Sequence, residues 1–163
     1  MLKGTFGGVE GRLWLSGDLY LVRTGMALSL NFLVDTGASR TILPEDVAAD
    51  LAFDPTAPGA VRMDSTGFGG GFNLYSEQAI LQFTSPDFLY FHAVEVGLMA
   101  GGAGPSAIPA VLGLDVLNQW RVKFCRQDDL LHCDVLTCTH QVPRGPHERS
   151  LRFEEVVKLA WPG

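Results

Sequence analysis

Leu28-Ser29-Leu30-Asn31-Phe32-Leu33-Val34-Asp35-Thr36-Gly37-Ala38-Ser39-Arg40-Thr41 is the stretch from which the fold is read. The apolar run from Leu28 to Val34 predicts a strand over 27–34 that delivers a single acid into a turn made by Thr36 and Gly37. Ile42-Leu43 then resume an apolar step. A carboxylate at the end of a buried strand loses hydration and must be held by hydrogen bonds or another charge, so its position points to a chemical task. Gly37 suits the turn, because it lets backbone approach the carboxylate, or adopt positive φ, without steric cost.

Two further stretches stand outward from this one. Thr66-Gly67-Phe68-Gly69-Gly70-Gly71 is glycine-rich with one large apolar residue, and Ala60 to Met63 with Phe72 to Tyr75 read as the two arms of a hairpin whose tip is 64–71. Downstream, Ala110-Val111-Leu112-Gly113 returns to the core, and Leu114 to Trp120 predicts a short helix. No second Asp-Thr-Gly occurs in the 163 residues.

Taken together the three stretches resemble the active-site motif, flap and hydrophobic-hydrophobic-Gly motif of the aspartic proteases, and the Gly-Ala continuation is similar to the retropepsin-like (retroviral-type) branch. The resemblance implies an all-β, retropepsin-like acid-protease half-barrel with a flap hairpin and one short helix after the Val-Leu-Gly motif. It implies Asp35 as the catalytic residue, with Thr36, Gly37 and Ala38 supporting the active site. It further implies Gly67, Phe68, Gly69 and Gly70 as the flap, and Val111, Leu112 and Gly113 as the structural motif. Peptide hydrolysis by this strategy needs two carboxylates that share one proton. With one Asp per chain, the resemblance implies a symmetric homodimer that cuts a polypeptide held in extended conformation, with no metal and no cofactor. In that picture the Thr36 hydroxyl reaches the partner's backbone, the Gly37 carbonyl accepts a hydrogen bond from the substrate, and Val61, Phe68, Leu74 and Ile108 are candidate pocket walls. Ala38 removes the hydroxyl that a Ser would offer the dyad, which predicts activity at mildly acidic to neutral pH.

The chain departs from the retroviral pattern at Ser39 and Leu114, where an Asp and an Arg that pair with each other are usual; Arg40 and Asp115 are expected to form a substitute ion pair. Two other functions are consistent with these residues. One is a catalytically silent module that binds peptides or dimerises. The other is an enzyme held latent by its own tail.

Composition narrows the classes. A net charge of −6 disfavours a nucleic-acid surface, which needs a basic stripe. No segment approaches the ~20 apolar residues that cross a bilayer, and Met1-Leu2-Lys3-Gly4-Thr5-Phe6 lacks the apolar core of a signal peptide, so no membrane partner and a cytoplasmic location are expected. Cys125, Cys133 and Cys138 cannot all pair within one chain, and with His132 and His140 they match no common zinc spacing.

Along the rest of the chain, residues 12–15 and 18–23 flank Ser16-Gly17 and predict a first hairpin, and Pro44-Glu45-Asp46 opens a helical turn. Residues 79–84 and 88–96 predict strands, 97–109 a Gly/Ala/Pro loop, and 121–125 with 130–135 a final hairpin. Residues 1–136 form the expected protease domain and 137–163 a tail. In that tail, 140–149 look like a linker, and 150–159 carry apolar groups at near-helical spacing, as a surface helix or frayed end.

Overall fold

The computed structural model describes residues 1–63, 73–101, 108–145 and 152–162. The expected flap residues Gly67, Phe68, Gly69 and Gly70 lie outside them. The described residues form eleven strands joined in one sheet network, with three short helices, an all-β architecture.

The chain begins with β1 (Leu2–Gly7), which turns through Gly8 and Gly11, both at positive φ, into β2 (Arg12–Leu21). This is the first hairpin, and it differs from the one expected at Ser16-Gly17: β2 runs unbroken through both residues. Gly17 is there for packing, since a Cβ on it would lie 2.7 Å from the Phe83 ring. A glycine in a strand often marks such a close approach and not a turn. The next turn, at Gly25, leads to β3 (Met26–Val34), and β4 (Ile42–Leu43) and α1 (Glu45–Asp50) follow. Two acids in the first turn of α1 complement its dipole.

β5 (Val61–Met63) pairs with β6 (Asn73–Thr84), and β6 pairs along its whole length with β7 (Phe88–Ala100). The tight connection is built on Ser85, whose hydroxyl accepts from the amides of Asp87 and Phe88. Residues 97–100, expected in a loop, belong to β7. They are buried, and Gly97 leaves room for the side chain of Leu74, which a Cβ would meet at 3.0 Å.

β8 (Val111–Leu112), α2 (Leu114–Leu117), β9 (Trp120–Cys125) and β10 (Leu130–Val135) complete the body. The helix is shorter than expected because Trp120 already starts β9. The sheet runs β5-β6-β7-β4-β8-β3-β2-β1-β10-β9. Residues 2–4 of β1 pair with 131–133 of β10, and 5–7 pair with β2, so the amino-terminal strand is held from both sides within its own chain.

Residues 140–143, expected as linker, form β11 (His140–Pro143) on the free edge of β7. The Thr139 hydroxyl accepts from the Ala93 amide and fixes its entry. α3 (Phe153–Ala160) then lays Val156, fully buried, against Tyr20, Ile80 and Phe91, with Phe153 stacked on Tyr20 at 5.2 Å between ring centroids. Burying these side chains stabilises the docked helix by roughly 1.5–3 kcal/mol each. The main core lies on the other side of the sheet network, around Leu19, Phe32, Leu43, Phe83, Leu98 and Leu112.

Candidate active site

Two strands deliver the turn that carries Asp35. β3 pairs in parallel with β8, Leu33 opposite Val111 and Val34 opposite Leu112, while β4 takes the other side of β8 with Ile42 opposite Val111. The segment 35–41 therefore leaves β3, passes over the end of β8 and returns as β4. Short apolar runs on both sides of the turn make this possible: β4 and β8 are buried at both of their residues, and β3 enters the core at Phe32 and stays half-buried at Leu33 and Val34.

Backbone bonds close the crossing. The Asp35 amide donates to the Leu112 carbonyl at 3.1 Å, and the Leu114 amide donates to the Ala38 carbonyl at 2.8 Å. Gly113 lies against the main chain of Arg40, where a Cβ would come within 2.4 Å of the Arg40 carbonyl carbon. Only glycine fits there. Thr41, fully buried, ties the crossing together: its hydroxyl donates to Asp115 Oδ1 at 2.9 Å and accepts from the Gly113 amide at 3.2 Å, and its amide donates to Asp115 Oδ2 at 2.9 Å.

Asp35 itself is half-buried. Its Oδ1 accepts from the Gly37 amide at 2.8 Å, a short turn bond that sets the carboxylate's direction. Thr36 and Gly37 are exposed; Ala38 is half-buried and packs on the cluster of Ile42, Leu74, Met99 and Val111. Asp35 borders an open cavity of about 590 Å³ whose walls include Phe6, Val9, Leu13, Leu33, Phe124 and Arg126. Among the described residues of the tail none lines this cavity; α3 is seated on Tyr20, Ile80 and Phe91. In the described part of the tail the contacts of α3 are with this cluster, on the face of the sheet away from the main core.

Several expected roles change. Arg40 and Asp115 do not pair. Arg40 Nη1 reaches the Met63 sulfur and the Ser76 hydroxyl, each at 3.4 Å, and Glu95 at 4.0 Å, whereas Asp115 is satisfied by Thr41 and the Val116 amide. Among the candidate pocket walls, Leu74 is buried in the cluster beneath Ala38, and Ile108 packs on that cluster. Val61 lines a different depression with Arg23, Glu77 and Glu95. Thr41 was not singled out from the sequence, and Asp115 was singled out only as a partner for Arg40. A buried hydroxyl two residues past the turn's Ser39 and an acid at the second position of the helix after Gly113 were the available signals. The three cysteines are unpaired, and among the described residues no cluster of His, Cys, Asp or Glu is arranged to hold a metal ion. No helix among them is long and apolar enough to cross a membrane.

A single Asp-Thr-Gly turn crossing over a Val-Leu-Gly strand within an all-β sheet defines the retropepsin-like class of fold. The aspartyl protease family profile matches residues 24–116, more than half of the chain, and the protein belongs to that family. Among solved structures the chain is similar to a retropepsin-like aspartic protease from Rickettsia conorii, with 19% identity over 78% of this chain and 86% of that one and a TM-score of 0.53. It also matches the EIAV protease complexed with an inhibitor, with 17% identity over 69% of this chain and 90% of that one and a TM-score of 0.44. Comparison with curated protein sequences gave no match.

Proposed function

We propose that the protein is an aspartic endopeptidase acting as a homodimer, with Asp35 of each copy forming the dyad. The observation that carries this is the setting of Asp35: its carboxylate is aimed by one backbone amide and borders an open cavity walled by apolar side chains and by Glu10, Arg12 and Arg126. Two carboxyls at hydrogen-bond distance cannot both ionise and so share one proton. The ionised one takes a proton from water, whose oxygen attacks the scissile carbonyl carbon. The protonated one hydrogen-bonds the carbonyl oxygen and stabilises the charge that develops there. Collapse of the tetrahedral intermediate returns a proton to the leaving amine. Thr36, exposed beside Asp35, is placed in this reading to bond the partner's turn, and the Gly37 carbonyl to accept from an extended peptide. The hairpin that carries Gly67 to Gly70 would cover the substrate. Persistence of Asp35, Thr36 and Gly37 together favours catalysis over a silent peptide-binding module.

The test is sedimentation of the purified protein beside cleavage of a mixed peptide library by wild type and Asp35→Asn between pH 4 and 7. The expected result is a dimer whose cleavage vanishes in the variant. Cleavage that survives Asp35→Asn would overturn the assignment.

A further inference from the structure

We propose that the cavity beside Asp35 is a substrate subsite that selects a peptide carboxylate, with Arg126 as the residue that sets this preference. The inference rests on the peptidase reading above and adds the chemical class of group that the substrate presents.

The walls of the cavity are of two kinds. Phe6, Leu13, Leu33 and Phe124 offer apolar surface to the stem of a side chain, and Asp35 shares the remaining wall with Glu10, Arg12 and Arg126. The charges are not equally committed. Arg12 meets Glu10 Oε2 through Nη2 at 2.6 Å and through Nε at 2.8 Å, so those two cancel. Arg126 is different: among the described residues the ion pairs are Arg12–Glu10, Arg23–Glu77 and Arg40–Glu95, and neither Asp128 nor Asp129, its neighbours in the β9–β10 turn, pairs with it. With 18 acidic against 12 basic side chains in the chain, a shortage of acids does not explain this.

The Arg126 guanidinium is also held in place. Its Cζ stands 5.3 Å from the centre of the Phe6 ring, and it lies over Gly11, where a Cβ would meet its Nε at 3.1 Å and its Cζ at 3.2 Å. A guanidinium packed by its face keeps the N–H donors on its edge free, and that edge matches a planar carboxylate. Because the group is already ordered, less entropy is lost when it binds. Charge balance points the same way. Two carboxyls that share one proton keep one negative charge, which repels an acidic group bound beside Asp35. Arg126 on the same cavity offsets that repulsion. Glu is favoured over Asp, since its longer methylene stem lies along the apolar walls. The free C-terminus of a peptide carries the same carboxylate chemistry.

Peptide pools that differ only in Glu, Gln or Lys at one fixed position, each made with a free and with an amidated C-terminus, test the proposal. Cleavage by wild type, Arg126→Gln and Arg126→Glu is read by mass spectrometry, beside sedimentation of each protein. Wild type should cut the Glu pool in preference to the Gln pool by about three- to tenfold, the range for a charge-assisted bond at a partly exposed group. Arg126→Gln should erase or invert that ratio, and Arg126→Glu should turn the preference to Lys. A preference that disappears on amidation assigns the carboxylate to the chain end; one that persists assigns it to the Glu side chain. The subsite is overturned by equal cleavage of the Glu and Gln pools with either kind of end. It is also overturned by a preference that survives Arg126→Gln, or by an Arg126→Gln protein that falls to monomer, since the arginine would then serve the partner. Cleavage that Asp35→Asn abolishes but that ignores the acid sinks the subsite and leaves the peptidase assignment standing. If no pool is cut, the peptidase assignment fails and fluorescence anisotropy of the labelled pools decides the subsite alone: tighter binding of the acid that depends on Arg126 supports it, and equal binding refutes it.

Discussion

Both oxygens of the Asp115 carboxylate are held by Thr41, a residue 74 positions earlier, one through its amide and one through its hydroxyl, each at 2.9 Å. The same hydroxyl accepts from Gly113, so a single buried threonine joins the Asp35 turn, the Val-Leu-Gly strand and α2. Thr41→Val keeps the shape but strands the Gly113 amide and removes one of the two bonds to Asp115 Oδ1, which keeps the Val116 amide. Unmade hydrogen bonds at a buried charged group cost about 2–4 kcal/mol in total. Urea unfolding should register that loss, whereas Thr41→Ser should stay within about 1 kcal/mol of wild type. Equal stability of the Val variant would show that the crossing is held by backbone bonds alone.

Gly113 admits no side chain. An added Cβ would stand 2.4 to 2.8 Å from three main-chain atoms of Arg40, which cannot rotate away as a side-chain tip could. Gly113→Ala is expected to destabilise by more than about 3 kcal/mol, or to prevent folding. If the variant folds with wild-type stability and a dislocated Asp35 turn, loss of cleavage without loss of stability will reveal it.

Acid should loosen the fold through His92. This imidazole is fully buried, accepts from Trp120 Nε1 at 3.2 Å on Nε2, and so carries its proton on Nδ1, which donates to Gln119 Oε1 at 3.3 Å. Burial lowers its pKa to about 4, with the Gln119 bond opposing. Because the unfolded histidine titrates near 6.5, the unfolded chain binds more protons between those values. Stability is therefore complete above pH ~6.5 and falls as pH drops toward 4, by up to about 3 kcal/mol. Melting temperatures of wild type and His92→Gln across pH 7 to 4 check this: the wild-type slope should be steep and the variant's shallower. Parallel slopes would assign the acid sensitivity to other groups.

The tail is expected to act on stability and not on access to Asp35. Val156→Ala should cost about 2 kcal/mol, from lost burial against Tyr20, Ile80 and Phe91. Truncation before α3 should lower the melting temperature further, without any gain in cleavage. A truncated protein that cleaves faster than the full chain at the same folded fraction would favour the latent-enzyme reading.

The parts of this architecture that were legible in the sequence are those where backbone crowding restricts residue choice over a short span. Val111-Leu112-Gly113 is of this kind, because main chain crowds Gly113, and Asp35-Thr36-Gly37 is short and local, its acid bonded to the amide two residues on. Gly17 misled for the same reason: it answers the Phe83 ring 66 positions away, a packing demand with no local signature. The Thr41–Asp115 contact was equally hidden. Pairing Arg40 with Asp115 by charge overlooked that a carboxylate is satisfied as well by a hydroxyl and two amides. β11 was missed because four residues ending in proline resemble a linker until the edge of β7 is there to receive them. The candidate site was thus readable at the acid and its turn, and unreadable in what braces them.

The parallel pairing of β3 with β8 also carries a consequence for how the protein comes into being. The amide of Asp35 bonds a carbonyl at residue 112, and β1 closes on residues 131–133. On a ribosome the first third of the chain emerges with its reactive turn unbuilt and must wait for distant partners, in a topology dominated by non-local contacts that fold slowly. Until residues 112 and 131–133 have emerged, a nascent chain therefore cannot close the turn that carries Asp35.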